Sequence, residues 1–229
     1  MNYIYWKGKD SRDVNGLIIC ELPPITKPKM RTKVETIDGR DGSIITELGY
    51  EAYDKTLEIG LTRNYDIDEI IDYFSGEGLL NMSNEPDKYY RGKIIDAINY
   101  ERLVRFKKAK VKINVQPFKY SAVERIKTIT PTGQALDIWN NGNIVSKPLM
   151  TIYGSGDINL SLNGEQVCVI TGLEDYITLD CENLEAFKGS FLKNRQMNGN
   201  FPVLKVGQNS FTWTGNITKI EFVRFSRWL

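Results

Sequence analysis

Along most of the chain, apolar and polar residues alternate one by one. The pattern is strictest at Leu57-Glu58-Ile59-Gly60-Leu61, Val111-Lys112-Ile113-Asn114-Val115, Ile158-Asn159-Leu160-Ser161-Leu162 and Ile220-Glu221-Phe222. Successive side chains of a strand point to opposite faces, so period two marks a strand with one face buried and one in water. Turn formers punctuate these runs at Asp38-Gly39, Asn141-Gly142, Asn163-Gly164, Asn198-Gly199 and Thr214-Gly215-Asn216.

One segment changes period. Ile67, Ile70, Ile71 and Phe74 fall at i, i+3, i+4 and i+7, one face of a helix. Asp66 is placed to cap its start, Glu69 to return the capping contact, and Ser75-Gly76 to stop it. A second helical turn is expected near Asn183 to Phe187. Turn formers also crowd the stretch from Tyr120 to Ser146, including Thr130-Pro131-Thr132-Gly133 and Asn140-Asn141-Gly142-Asn143. The expected fold is therefore mainly β with one clear helix, in two domains, residues 1–135 and 136–229. Short strands at intervals of about 8 to 12 residues suit a β-sandwich in the second.

Composition removes several alternatives. Of 229 residues, 41% are hydrophobic and 26% charged, ordinary values for a globular protein with real cores. Thirty basic and 29 acidic residues leave a net charge of +1, so no global field steers the chain to nucleic acid or an anionic membrane. Apolar runs such as Gly16-Leu17-Ile18-Ile19-Cys20 are too short to span a bilayer. Met1 to Lys7 lacks the features of a secretory signal, so retention in a cytoplasm until lysis is expected. Cys20, Cys168 and Cys181 read as reduced, packed thiols. There is no histidine, which excludes Ser-His-Asp and Cys-His catalysis and His-based metal sites. An enzyme would have to rely on carboxylates, Lys, Tyr or Arg.

The remaining constellations have structural readings. Asp10, Asp13, Asp38 and Asp41 lack the every-second-residue spacing of a calcium loop. Glu165, Glu174, Asp175, Asp180 and Glu182 could serve carboxylate hydrolysis only by spatial convergence. Trp139, Trp213, Trp228, Tyr153, Tyr176 and Phe211 could stack sugar rings. Phe211-Thr212-Trp213 instead puts two aromatics on one strand face, as a core would, and no useful affinity for a simple sugar is expected. In the basic run Arg102, Arg105, Lys107, Lys108, Lys110 and Lys112, alternation with Val111 and Ile113 places Lys110 and Lys112 on a solvent face.

The order of several short motifs resembles the distal tail protein (Dit) family of long-tailed, non-contractile bacteriophages. They are Gly8 with Asp10-Ser11-Arg12-Asp13, Gly39-Arg40-Asp41-Gly42 with Gly49-Tyr50, Tyr90-Arg91-Gly92-Lys93, Arg105-Phe106-Lys107 and Pro117-Phe118-Lys119-Tyr120. The second half adds Asn143 to Pro148, Gly154 to Ile158 and Phe201 to Gly207. The chain departs from the pattern at Asp38, where the family would have Pro. The resemblance implies a tail-tube-like β-barrel or sandwich with a packed helix, then a galectin-like or carbohydrate-binding-module-like β-sandwich. It implies a structural virion protein without catalytic activity, metal or cofactor, forming a hexameric ring at the distal end of the tail tube. The implied partners are further copies of itself, the tail tube protein, a tail-tip or tail-associated protein and a receptor-binding protein. DNA crosses the lumen only in transit, and no membrane is engaged. The implied location is the virion tail tip, after assembly in the host cytoplasm. The rival reading is a lectin-like cell-wall carbohydrate binder. The candidate interface loop is Gly39, Arg40, Asp41 and Gly42.

Overall fold

The computed structural model describes residues 1–131 and 133–229. It divides into two compact units, Met1–Ala122 with Leu229, and Val123–Trp228. The division falls at the start of the turn-rich stretch between Tyr120 and Ser146.

The first unit is built on one antiparallel sheet. Its strands are β1 (Ile4–Trp6), β2 (Lys9–Asp10), β3 (Leu17–Glu21), β6 (Tyr53–Leu61), β7 (Glu77–Met82), β8 (Glu85–Lys93) and β9 (Lys108–Ser121), in the order β2-β1-β7-β8-β9-β6-β3. The alternation foreseen at Leu57 and Val111 is the pleat of β6 and β9, with Leu57, Ile59, Val111, Ile113 and Val115 buried. Lys108, Lys110 and Lys112 take the exposed phase of β9. Helix α1 (Ile67–Tyr73) and helix α2 (Tyr100–Phe106) pack Ile70, Tyr73, Phe74 and Leu103 into the same core.

Asp66 caps α1 as expected, accepting from the backbone N–H of Asp68 and Glu69. Glu69 does not return the contact. Its carboxylate accepts from the N–H of Asn15 at 3.0 Å and pairs with Lys9 at 2.7 Å, so it ties the helix to the loop before β3. Ile71, assigned to the buried face, is exposed, and Tyr73 takes its place.

Asp10-Ser11-Arg12-Asp13 is a structural turn. Asp10 caps a single 3-10 turn at Ser11–Asp13 and holds the Arg12 guanidinium through both carboxylate oxygens, Oδ1 accepting from Nε at 3.1 Å and Oδ2 from Nη2 at 2.6 Å. Ser11 Oγ accepts from the N–H of Ile4, and Arg12 lies over the Tyr3 ring.

The second unit is a strongly bent antiparallel sheet. Three long strands carry it: β12 (Leu149–Leu162), β13 (Glu165–Asp180) and β17 (Gly207–Val223). Shorter strands flank them: β10 (Lys127–Ile129), β11 (Ala135–Asn140), β14 (Glu185–Lys188), β15 (Phe191–Leu192) and β16 (Met197–Gly199). The main order is β10-β17-β12-β13-β14-β15, with β11 on β17 and β16 on β13. The first half of β17 pairs with β11 and its end pairs with β10. Register shifts on β12 and β17 mark the bends. Glycine is required there. A Cβ on Gly154 would lie 2.1 Å from the Asn216 carbonyl oxygen, and one on Gly215 would lie 2.2 Å from that of Asp157. Thr214-Gly215-Asn216 is thus a bulge inside one strand rather than a turn between two. Asn163-Gly164 does form the expected tight turn, joining β12 to β13.

No helix forms near Asn183 to Phe187. Asp180 accepts from the N–H groups of Glu182 and Asn183, making a turn that leads into β14. Cys168 and Cys181 are buried free thiols. Phe211 and Trp213 are in the core, whereas Trp139 is 56% exposed.

Two outcomes check this fold. Phe211→Ala should cost about 3–5 kcal/mol, while Trp139→Ala should stay within about 0.5 kcal/mol in denaturant titrations. Arg12 holds the Asp10 carboxyl below its ordinary pKa. Its stabilisation is therefore complete above the usual carboxylate range and is lost as pH falls through the lowered value. Asp10→Asn should lower the melting temperature at about pH 7, and the gap to wild type should close toward about pH 2.

Candidate functional site, an exposed hairpin

Strands β4 (Met30–Glu35) and β5 (Ile44–Tyr50) form a separate two-stranded ribbon. Glu35 faces Ile44, Val34 faces Ile45, Lys33 faces Thr46 and Thr32 faces Glu47. Among the described residues, neither strand pairs with any other. Every residue from 31 to 49 is exposed. A ribbon of two strands is only marginally stable in water by itself, because hydrogen-bonded strands without a buried face have little hydrophobic stabilisation. This ribbon nonetheless displays Val34, Ile37, Ile44, Ile45 and Leu48, with Ile45 62% exposed. Apolar side chains at this density are thus exposed to water on both arms.

The loop at residues 36–43 closes the ribbon. Gly39 and Gly42 both adopt φ near +80°, which a β-branched residue resists, and no atom lies within 4 Å of where their Cβ atoms would be. The Arg40 N–H donates to the Ile37 carbonyl at 3.1 Å. The side chains of Arg40 and Asp41 make no hydrogen bond or ion pair among the described residues. Gly39, Arg40, Asp41 and Gly42 are thus together at the far end of the ribbon, with an Arg fork and a carboxylate displayed to solvent.

Three contacts define the root. Tyr50 packs edge-on against Phe118 of β9, ring centroids 5.8 Å apart. The Glu51 N–H donates to the Lys29 carbonyl at 2.8 Å, and Arg31 Nη2 donates to the Leu48 carbonyl at 3.1 Å. Arg31, Tyr50, Glu51, Gln116 and Pro117 line a cleft beside this root.

The other candidates do not converge on a site. Asp10 and Asp13 belong to the 3-10 turn and Asp38 and Asp41 to the ribbon loop, and among the described residues no three His, Cys, Asp or Glu stand grouped to hold a metal ion. Sequence reasoning found the loop but missed the apolar display behind it. The signal was Val34, Ile37, Ile44 and Ile45, apolar residues set among charges with no consistent phase.

No family model and no curated protein matches this chain. Solved structures do. The SPP1 Dit protein (gp19.1), described as a paradigm of the hub adsorption apparatus in phages that infect Gram-positive bacteria, aligns with a TM-score of 0.75 at 16% identity, over 100% of both chains. Chains of the phage P2 baseplate in its activated conformation, with Ca and with Sr, align at TM-scores of 0.50 and 0.51. Both are 11% identical and cover 97% of this chain and 96% of theirs. The architecture is therefore of the class found in phage tail hubs and baseplates. More narrowly, it is the Dit fold along its whole length.

Arg40→Ala should leave the melting temperature unchanged, within about 0.5 kcal/mol of monomer stability. Gly42→Val should strain the loop by about 1–3 kcal/mol, measurable as a loss of the cross-strand contacts between β4 and β5 in nuclear Overhauser spectra while the melting temperature of the rest of the unit is unchanged.

Proposed function

We propose that this chain is a structural component of a phage tail. In this reading it forms a hexameric ring at the distal end of the tail tube, joins the tube to the tail tip or baseplate, and leaves a lumen for DNA. The observation that carries the reading is the solvent-exposed ribbon. It is a strand pair with an apolar surface and no sheet beneath it, on a chain with the Dit fold. A ring needs a heterologous contact, one patch on a different patch of the next copy, with a rotation that closes. A projecting ribbon supplies one half of such a contact. Arg40 supplies a directional fork for a partner carboxylate.

The proposed partners are further copies of this chain, the tail tube protein and a tail-tip protein, with receptor-binding proteins attached beyond. Assembly takes place in the host cytoplasm, and the protein ends in the virion tail. No catalytic role is assigned to any residue. The first unit is proposed to drive ring closure, and the second unit to be a folded sandwich that stays monomeric by itself.

The test is size measurement by light scattering across a concentration series, with electron microscopy of the largest species. Val34→Asp with Ile45→Asp should leave the monomer folded, since both side chains already face water, and should abolish ring formation. Arg40→Ala should weaken assembly by about 2–5 kcal/mol if its partner is a buried carboxylate. Normal assembly by the double variant would overturn the reading.

A further inference from the structure

Between β3 and β4 the chain runs as a strap, residues 22–29, with no regular secondary structure. Pro23, Pro24 and Pro28 have no N–H to contribute to a sheet. The strap's carbonyls are taken by side chains instead. Asn84 Nδ2 donates to the Pro23 carbonyl at 3.1 Å, Lys55 Nζ to that of Pro24 at 2.8 Å and the Tyr53 hydroxyl to that of Thr26 at 3.3 Å. At Lys29 the strap becomes the root of the ribbon. Whatever loosens the strap therefore loosens the ribbon's attachment.

Lys55 is the unusual member. It lies on β6 at the inward phase of Leu57 and Ile59 and is 1% exposed. An ammonium carries three donors, yet its hydrogen-bonded acceptor here is one neutral carbonyl, that of Pro24. The rings of Tyr53 and Tyr90 lie 5.2 and 5.1 Å away. The charged groups that face it are Glu85 from β8 and Lys119 from β9. Glu85 is already committed, one oxygen to Lys119 Nζ at 2.8 Å and the other to the Tyr90 hydroxyl at 2.7 Å. Lys119 adds a like charge. Lys55 is thus a buried cation without a carboxylate in contact, an arrangement that favours hydration whenever water can reach it.

We propose that Lys55 and the proline strap form a release latch at the ribbon root: lifting Pro24 hydrates the buried ammonium, frees the strap and lets the ribbon tilt as it docks on a neighbouring copy. The docking step rests on the assembly reading above; the latch is a property of the single chain. Its pH dependence has a defined sign. Burial lowers Lys55 from 10.5 to about 8, with Glu85 opposing that shift and Lys119 adding to it. With the strap lifted, the group returns toward its ordinary value. The lifted state therefore holds more protons between those two pH values. Falling pH favours release and rising pH closes the strap, by up to about 300-fold over the window. Tyr53 and Tyr90, both raised above the ordinary tyrosine pKa, stay neutral through most of it.

The experiment is methyl carbon relaxation dispersion on the full chain, kept dilute, reading Ile25 and Thr26 at about pH 7 and about pH 10. Wild type should show exchange at both methyls at the lower pH and lose it at the higher. Lys55→Met should be quiet at both. Absence of exchange in wild type at about pH 7, exchange independent of pH, or equal exchange in Lys55→Met would overturn the latch. The wild-type pH comparison stands without the variant. A second arm follows assembly by light scattering. Lys55→Met should assemble more slowly by about tenfold, because the tilted ribbon is less populated. Unchanged assembly kinetics with the expected methyl behaviour would overturn the coupling to docking. Failure of wild type to assemble at any concentration would instead count against the ring reading, with the methyl data still deciding the latch.

Discussion

The ribbon of β4 and β5 pairs its two strands along one edge each, leaves the outer edges to water and buries almost nothing in doing so. That imbalance governs the rest of the first unit. Hydrogen bonds exchanged with water contribute only about 1 kcal/mol each in net terms, and a two-stranded ribbon without a packed face is marginal. Its shape in the free chain depends on its root, where Tyr50 meets Phe118 and the Lys29 carbonyl takes the Glu51 N–H. In the proposed assembly, its stability depends on a surface that the free chain does not supply.

The large sheet of the first unit supplies the rigid base. Its core side chains, from Ile4 and Trp6 through Ile113 and Val115, are fully or nearly fully buried. The root sits at the end of β6 and beside β9, two central strands of that sheet. Against this base, the strap is the soft element. It is held by three side-chain donors and has no ladder of its own. In the proposed assembly, a soft strap at the root of the ribbon suits a part that finds its partner before it locks. The second unit is different in kind. Long strands bend within themselves at Gly154 and Gly215, so its core closes without a comparable unpaired projection.

Much of the fold is legible in the sequence because it is local. Alternation gives β6, β9, β12 and β17, and the 3.6-residue period with Asp66 gives α1. The failures have physical reasons. Helix α2 contributes one fully buried residue, Leu103, so it leaves no periodic stripe to read. The Asn183 segment has helix-compatible residues, but the Asp180 side chain captures its first N–H groups in a turn. Glu69 stands at the capping-box position, yet Lys9 and Asn15, far away in sequence, outcompete the Asp66 N–H. For the candidate site, the two glycines around Arg40-Asp41 announce the loop. The exposure of both ribbon faces is a property of tertiary structure, and its local mark is faint: Val34, Ile37, Ile44 and Ile45 stand among polar residues without a consistent phase. Lys55 did leave one: in Lys55-Thr56-Leu57-Glu58-Ile59 it occupies the apolar phase, a lysine where the pleat calls for a core residue.

Amide hydrogen exchange across the ribbon, compared between dilute chain and assembled particles, tests the central claim most directly. The account predicts that amides of β4 and β5 exchange within seconds in the free chain, because a marginal ribbon opens readily. In assembled particles the same amides should gain protection of about a hundredfold or more, while those of β6 and β9 are protected in both states. Ribbon amides already protected in the free chain, or exchanging equally fast in assembled particles, would contradict the claim that a neighbouring molecule completes this part of the structure.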